Sequence, residues 1–418
     1  MRRKGNSAGR NRGPAYRKAS TETVPWRGTI ERLAWGGRGL ARAEDGRVIL
    51  LEAPLALFPG EEVEADLRWK SGHAEGDVRS WITEDPRRVP PACPVARTCG
   101  GCSLWGAGAE ASELKRQMVA DLFRRQLGRE EFTWHPAPSP AKRARIQLHW
   151  DGRSLGFHRR RSHDIVPIEA CPVAEEALSA AIEPLRAALA SGVLPSRPGR
   201  WELATGTPAG EVRASCEAGG WRFQAGGWHA DDAPVIHQLA GASLRQPAGG
   251  FFQVSPAWAT TAFSAALEAW DVRGDTLYDL YGGVGLFSAL LRGRFRRFVL
   301  VESGEAAVAA ARLNLADLKL DADCAVADVG AWLPEHLGEE GDVILLDPPR
   351  TGLAPEAVSK LLTGGAGRMV LVGCDGAAFC RDLKRLEAAW RVEHIAALDL
   401  FPLTPHIEAV ALLTLAHL

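Results

Sequence analysis

Four of the eight cysteines follow a pattern that suits metal binding. Cys93, Cys99 and Cys102 form a tight trio, C-x5-C-G-G-C, and Cys171 lies 69 residues beyond it, followed by a proline. Eight cysteines are too few for a disulfide scaffold in 418 residues, and clustered thiolates in a reducing compartment usually bind metal. Three close ligands and one distant one favour a 4Fe–4S cluster, since only one Cys-x2-Cys pair is present. Zinc and unliganded core cysteines are the alternatives.

A glycine-rich turn and a carboxylate indicate a nucleoside site. Residues 279–287 read D-L-Y-G-G-V-G-L-F between a predicted strand and a predicted helix, where glycines let the backbone approach a ligand. Glu302 ends the next strand, where a carboxylate can accept hydrogen bonds from ribose hydroxyls. A dinucleotide site would need G-x-G-x-x-G, but position 288 is serine. The pattern therefore favours S-adenosylmethionine, which has no pyrophosphate.

Three further side chains, Asp347, Cys374 and Glu408, are candidates for a direct role in a reaction. Asp347, in D-P-P-R, follows the fourth predicted strand at the edge where ligands meet such a sheet. Arg350 stands where an adenine N6 methyltransferase would carry an aromatic residue, which argues against that chemistry. Cys374 follows the fifth strand at the same edge, and its alternative reading is a small core residue. Glu408 follows a loop with two prolines, and its alternative reading is a surface carboxylate.

Alternating strands and helices from residue 250 predict a doubly wound α/β domain that positions these groups. Apolar runs such as residues 343–346 indicate strands buried on both faces of a parallel sheet. Ser255-Pro256 predicts the start of the domain's first helix, with Ser255 as its N-cap. Seven strands are predicted: 276–280, 298–302, 322–327, 343–346, 369–373, 391–398 and 408–414.

The first part of the chain predicts two further domains. Five short strands between residues 24 and 84 indicate a small OB-like β-barrel. Residues 112–127 predict an amphipathic helix that could pack on the catalytic domain, and residues 142–156 an alternating strand. Three consecutive arginines, Arg159 to Arg161, suggest contact with nucleic acid. The expected domains are a disordered basic tail (1–23), the barrel (24–84), a central iron–sulfur and RNA-binding α+β domain (85–249) and the catalytic domain (250–418).

Charge and composition narrow the class of protein. Residues 1–23 hold seven basic residues and one acid within a chain of net charge −1, so this tail suggests a polyanionic partner. A composition of 46% hydrophobic and 24% charged residues excludes global disorder. Neither a membrane-spanning stretch nor a secretory signal is found, so a cytoplasmic protein is expected. No feature of the sequence indicates a protein partner.

These motifs together resemble the RNA uracil-5-methyltransferases over residues 24–418, and more narrowly the branch acting on 23S ribosomal RNA. The resemblance implies that residues 24–84 are a TRAM barrel and that Cys93, Cys99, Cys102 and Cys171 hold the family's iron–sulfur cluster. It implies S-adenosylmethionine and substrate contacts for Gln253, in F-F-Q, and for Tyr281, Glu302 and Asp347. Cys374 then matches the nucleophile, and Glu408, closing the motif D-L-F-P…H-I-E, matches the base.

The implied reaction is methylation of uridine C5 through a covalent bond between cysteine and C6. Two departures stand out: Cys374 lies in G-C-D-G where the family usually has S-C-N-P, and Ser255 stands where asparagine is common. A carboxylate at Asp375 is expected to raise the pKa of the thiol if its charge is close. Alternatives are a tRNA substrate, or an RNA-binding assembly factor with decayed activity. A cytosine methyltransferase would place proline, not Gly373, before its cysteine.

Overall fold

The computed structural model describes residues 23–138, 142–334 and 337–416. The basic tail predicted for residues 1–23 therefore lies, apart from Thr23, outside the described residues. No helix in the described ranges is long and apolar enough to cross a membrane.

The first sheet curls back on itself. Its strands run in the order β1-β5-β6-β4-β3-β2, so its two outermost strands are neighbours in the chain. Six strands form rather than five because Ile30 and Glu31 switch partners: Ile30 N–H donates to Glu61, and Glu31 N–H to Leu40. The strands are β1 Val24–Thr29, β2 Arg32–Ala34, β3 Arg38–Arg42, β4 Val48–Glu52, β5 Glu62–Trp69 and β6 His73–Thr83.

Helix α1 (Ala111–Leu127) follows a 3₁₀ turn (Gly108–Glu110) and matches the predicted helix to within one residue. Leu114 and Met118 pack into the core of the first sheet. Leu122 and its neighbours pack into the core of the last sheet. The helix thus lies between the two sheets and contacts both.

A seven-stranded antiparallel sheet and a hairpin form the middle of the chain. The predicted strand 142–156 is shorter than expected, since the Asp151 carboxylate accepts the N–H groups of Arg153 and Ser154 and turns the chain. Helix α2 packs its apolar face on this sheet. The elements are β7 Thr133–His135, which joins the last sheet, then β8 Arg145–Trp150, β9 Leu155–His158, β10 Ile165–Pro167, α2 Glu176–Ala190, β11 Gly199–Thr205, β12 Val212–Cys216, β13 Gly219–Gln224, β14 Gly227–Ala230, and the hairpin β15 Val235–Leu239 with β16 Ala242–Gln246.

The last sheet is an α/β sheet whose buried apolar strands are parallel as predicted, but the sheet as a whole is mixed, because β23 runs antiparallel to its two neighbours. All seven predicted strands are present to within one residue at each end. They are β17 Thr276–Leu280, β18 Arg297–Glu302, β19 Ala322–Val326, β20 Val343–Leu346, β21 Arg368–Gly373, β22 Trp390–Leu398 and β23 Glu408–Leu415. The helices are α3 Pro256–Ala269, α4 Leu286–Leu290, α5 Glu305–Asp317, α6 Val329–Trp332, α7 Pro355–Leu361 and α8 Gly376–Leu386.

The strand order is β19-β18-β17-β20-β21-β23-β22-β7, with β23 antiparallel to both of its neighbours. The eighth strand, β7, was not predicted, because its three residues carry no alternating pattern and it pairs with β22, far along the chain. Ser255 occupies the N-cap position of α3 as predicted, but its hydroxyl donates to the Lys142 carbonyl (2.9 Å) instead of capping the helix.

Candidate active site

The glycine-rich turn after β17 is shaped by close packing. Tyr281, Gly283 and Gly285 have positive φ angles of 60°, 54° and 88°. A Cβ built at Gly282 would lie 2.7 Å from Cγ of Leu300 on the neighbouring strand. The turn therefore presses against β18 and leaves its backbone at the carboxyl edge of the sheet, where the sequence predicts a ligand.

Two carboxylates hold this turn in place. Glu302, at the end of β18, accepts the N–H groups of Gly283 (3.3 Å) and Gly304 (2.8 Å). Asp279 is fully buried and accepts the N–H (3.0 Å) and hydroxyl (2.7 Å) of Ser288. This pair explains why serine stands at position 288. Burial raises the pKa of Asp279 to about 7, despite the hydrogen bonds from Ser288.

Gln253 is buried in the segment that leads into α3. The preceding Phe252 stacks on His237, with ring centres 4.1 Å apart and planes inclined by 3°. Val254, on its other side, accepts the N–H of Ala144 at 2.7 Å. Phe251, by contrast, is 65% exposed and lies near the guanidinium of Arg145. The segment is anchored on both sides of Gln253 and presents one aromatic ring to solvent.

Adjacent strands bring Asp347, Cys374 and Glu408 together. Asp347 follows β20, and Cys374 follows the neighbouring strand β21. Gly373 pairs with Ala409 across the antiparallel ladder of β21 and β23, so Cys374 and Glu408, one step further, lie opposite each other. The predicted nucleophile and the predicted base thus meet at one edge of the sheet.

The electrostatics of this trio follow from burial and from mutual repulsion. Burial, then the charges of Glu408 and Asp347, raise the pKa of the Cys374 thiol to about 12, while Arg350 opposes the rise. Burial and then Asp347 also raise the pKa of Glu408 well above its usual range, and its Oε2 is buried without a hydrogen-bond partner among the described residues. Burial and the neighbouring negative charges therefore both favour the neutral forms of the Cys374 thiol and of the Glu408 carboxyl group.

The loop of residues 399–407, here called the closing loop, connects β22 to Glu408. Lys115 of α1 is 1% exposed, and its ammonium group donates to the Asp399 carboxylate and to the carbonyl of Phe401 (3.1 Å). Trp258 Nε1 donates to the Asp399 carbonyl at 3.1 Å. Sequence reasoning missed Lys115, because a lysine beside an apolar helix face looks solvent-exposed until its distant carboxylate partner is known.

Cys93, Cys99, Cys102 and Cys171 line one pocket with otherwise mainly apolar walls. Burial raises the pKa of Cys102 to about 11, and the three other cysteines contribute to the rise, so the four thiols lie near one another. Within the described part of the chain, no group of three or more His, Cys, Asp or Glu side chains could hold a single metal ion. The N–H groups of Ser103 and Leu104 donate to Leu403 in the closing loop, both at 3.0 Å.

Two of the three arginines predicted to contact nucleic acid, Arg160 and Arg161, have protein partners, and so does the nearby Arg145. Arg145 pairs with Glu202 at 2.5 Å. Arg161 pairs with Glu52 and Asp77 of the first sheet, and Arg160 donates to the Pro54 carbonyl at 3.4 Å. These contacts join the first sheet to the central one. Arg159 is exposed and lines an open groove of about 680 Å³ together with His149 and His158.

Comparison with known proteins identifies the family. The family model for tRNA (Uracil-5-)-methyltransferase matches residues 339–416. A 23S rRNA (uracil(1939)-C(5))-methyltransferase from Pseudomonas fluorescens is 32% identical, with 92% of this chain and 93% of the relative aligned. The chain belongs to the RNA (uracil-5-)-methyltransferase family.

Two other relatives extend this relationship. An RNA methyltransferase from Streptomyces avermitilis is 33% identical over 92% of this chain and 96% of its own length. The crystal structure of a Pyrococcus abyssi tRNA (uracil-54, C5)-methyltransferase in complex with S-adenosyl-L-homocysteine superposes with a TM-score of 0.73, at 25% identity, over 93% of this chain and 99% of that one. The mixed α/β fold of this family therefore extends over nearly the whole chain.

This uracil-5-methyltransferase departs from the family's usual sequence at Asp375, which is the N-cap residue of α8. Its carboxylate caps α8 by accepting the N–H of Ala378 at 2.8 Å. The pKa of the Cys374 thiol is raised by burial and by the carboxylates of Glu408 and Asp347, and Asp375 is not among the causes of the rise.

Asp375→Asn should therefore keep both stability and methylation rate, because asparagine caps a helix about as well as aspartate. Asp375→Ala should lower the free energy of unfolding by about 1 kcal/mol, since it leaves an N–H group of the first turn unpaired. Chemical denaturation and steady-state methylation assays measure the two effects. A large loss of rate in Asp375→Asn at unchanged stability would contradict a capping role.

Proposed function

We propose that this protein transfers the methyl group of S-adenosylmethionine to C5 of a uridine in 23S ribosomal RNA. The single observation that carries the proposal is the position of Cys374 opposite Glu408 on adjacent strands, beside Asp347. The substrate is suggested by relatives at 31–32% identity that are named 23S rRNA methyltransferases. An RNA substrate and thiolate metal ligands both suit a reducing cytoplasm.

The chemistry explains why a thiol and a carboxylate are both needed. Uracil C5 is a weak carbon nucleophile, so the Cys374 thiolate first adds to C6 and moves electron density to C5. C5 then takes the methyl group from the sulfonium of S-adenosylmethionine. Glu408 removes the C5 proton, the C5–C6 double bond re-forms, and the cysteine leaves as a thiolate. The uridine must be flipped out of its stack to reach this edge of the sheet.

Burial acts differently on the two proton transfers: it opposes ionisation of the Cys374 thiol, and it makes the Glu408 carboxylate a stronger base. The thiol must give its proton to water before the RNA covers the site, and Arg350 is the cation that favours the resulting thiolate. Glu408 must be ionised when it acts, and a carboxylate whose pKa is raised by burial is a stronger base than an exposed one. Exclusion of water by the RNA would strengthen both effects.

The remaining predicted site residues fit the cofactor. We assign Glu302 to the ribose hydroxyls, because it ends the second strand beside the glycine-rich turn. Tyr281 and Asp347 flank the same edge of the sheet, after β17 and β20. Gln253, held between two anchored residues, is assigned to the substrate and cofactor pocket.

The N-terminal and central parts are assigned to RNA binding and to a cluster. The curled sheet of β1 to β6 supports a TRAM-like barrel over residues 24–84, and residues 85–249 form the iron–sulfur and RNA-binding domain. The donor set of Cys93, Cys99, Cys102 and Cys171 around one pocket supports a 4Fe–4S cluster, which these four thiolates would hold. Methyl transfer moves no electrons, so the cluster would be structural, next to the closing loop.

Cys102→Ser should abolish the cluster. Anaerobically purified wild-type protein should be brown and contain about four irons per chain, as expected of a Cys₄-ligated 4Fe–4S cluster. Iron analysis and visible absorption should show the loss in Cys102→Ser. The matched control is Cys216→Ser, which removes a thiol outside the pocket and should keep both iron and colour. Stoichiometric zinc without iron in the wild type would contradict the assignment.

The substrate is tested directly by offering the protein 23S RNA and tRNA. A tRNA methyltransferase shares the fold over 93% of this chain, which keeps tRNA as the second candidate. Purified protein with labelled S-adenosylmethionine should methylate 23S RNA from cells lacking the enzyme, and mass spectrometry should identify 5-methyluridine. Methylation of tRNA alone would replace the proposed substrate. No methylation of either RNA would favour an assembly factor.

A further inference from the structure

Trp35 connects the first sheet to the last sheet, which contains β7 and β17 to β23 and is called the catalytic sheet from here on. It lies in the turn between β2 and β3 and is partly buried. Its side chain packs against the core of the first sheet and also against the core that contains Leu122, Phe379 and the strands of the catalytic sheet. The indole is therefore a direct contact between the N-terminal sheet and the part of the protein that carries the proposed nucleophile.

The tip of the indole fills the space beside Gly376, two residues after Cys374. A Cβ built at Gly376 would lie 2.6 Å from Cη2 and 2.8 Å from Cζ2 of Trp35. It would also lie 2.7 Å from Cδ2 of Leu122. All three distances are far below van der Waals contact, so any side chain at position 376 would displace at least one of these groups.

The backbone at position 376 does not itself require glycine. Gly376 is the first residue of α8, where even proline is favoured. The preceding Asp375 is extended, with φ −117° and ψ 112°, which is the conformation that a following proline prefers. Glycine is thus required by the neighbouring side chains and not by the conformation of the chain.

The same turn of the first sheet also contacts the closing loop. A Cβ built at Gly37 would lie 3.1 Å from Cβ of Pro405, three residues before Glu408. One turn, residues 35–37, therefore contacts both segments that carry the proposed catalytic groups. The Gly37 N–H donates to the Ala34 carbonyl within the turn (3.1 Å), and Trp35 packs against the core of the first sheet.

We propose that Trp35 is a positioning residue that sets the place of Cys374 through its contact with Gly376. The proposal rests on the proposed role of Cys374 as nucleophile. Only two residues, Cys374 and Asp375, lie between the end of β21 and the start of α8. A shift of the first residue of α8 therefore moves the thiol of Cys374. Misplacing a reacting group by about 1 Å can cost about 100-fold in rate.

The test is a double-mutant cycle between Trp35 and Gly376. Gly376→Ala should slow formation of the covalent RNA adduct about tenfold, since its methyl group collides with the indole. Trp35→Phe removes the colliding ring atoms and keeps an aromatic side chain in both cores. The double variant should form the adduct faster than Gly376→Ala alone. Adduct formation is measured in single turnover, together with the affinities for S-adenosylmethionine and RNA, which should change less than twofold.

Leu122 provides the matched control, because it is equally close to position 376. Its colliding atom is the end of a flexible side chain that can rotate away, so Leu122→Val should not restore Gly376→Ala. Restoration by Leu122→Val and not by Trp35→Phe would overturn the proposal, as would additive effects of Trp35→Phe and Gly376→Ala. An effect confined to RNA affinity would make Trp35 an RNA contact instead.

The outcomes also separate this proposal from the proposed function. If wild-type protein forms no adduct with any RNA, the role of Cys374 fails. If the wild type forms the adduct and the cycle shows no coupling, only the role of Trp35 fails. Thermal unfolding of each variant identifies any that lose rate merely because they are unfolded.

Discussion

Cys374→Ala should abolish methylation and every covalent RNA adduct while leaving S-adenosylmethionine binding intact. The loss should be complete within detection, because without addition at C6 the C5 carbon is too weak a nucleophile to take the methyl group. The glycine-rich turn and Glu302 lie on other strands and are untouched by the change. Methyl incorporation, denaturing gel electrophoresis and calorimetric titration with the cofactor measure the three properties.

Cys380 provides the control for this prediction. It lies only six residues further along the chain, but it is 1% exposed and packs in the core between α8 and its neighbours. A thiol in that position cannot reach an RNA base, so Cys380→Ala should still form the adduct. An active Cys374→Ala, or a folded but inactive Cys380→Ala, would contradict the assignment of the nucleophile.

The catalytic sheet is predictable from sequence because its strands are short, apolar and separated by helices. Residues 343–346 and 369–372 have no polar member, and only a strand buried on both faces accommodates such runs. Strand β7 cannot be predicted in this way, because it forms by pairing with Ala396 to Leu398 and has no hydrophobic pattern of its own. The extra strand in the first sheet cannot be predicted in this way either. It arises because the backbone changes its hydrogen-bonding partner strand at Ile30, and that change depends on contacts between strands distant in the sequence.

The candidate site likewise contains residues that the sequence predicts and residues that it does not. Motifs locate Cys374, Glu408, Glu302 and Asp347, since strand ends and glycine-rich turns leave a local signature. The side chains that pack against or bond to these segments have no such local signature in the sequence. Lys115 bonds to Asp399, 284 positions away, and Trp35 contacts Gly376 from another sheet. Such contacts depend on how separate sheets pack together, which a local pattern does not encode.

Glu408→Gln should behave differently from Cys374→Ala: it should accumulate a methylated RNA–protein adduct that survives denaturation. Addition and methyl transfer precede the step that needs a base, so both should proceed in this variant. Glutamine cannot remove the C5 proton, and elimination of the cysteine should therefore stop. Turnover should fall at least 100-fold, consistent with the contribution of a general base.

Glu408→Gln should remove the base without disturbing the packing of the site. Burial raises the pKa of Glu408 well above its usual range and so favours its neutral form, and the neutral amide of glutamine has almost the same shape as that form. Labelled methyl groups should travel with the protein band for Glu408→Gln and be absent from that band for the double variant Cys374→Ala/Glu408→Gln. Normal turnover by Glu408→Gln would move the role of base to another group. Asp347 would then be tested next, because it is the carboxylate that raises the pKa of both Cys374 and Glu408.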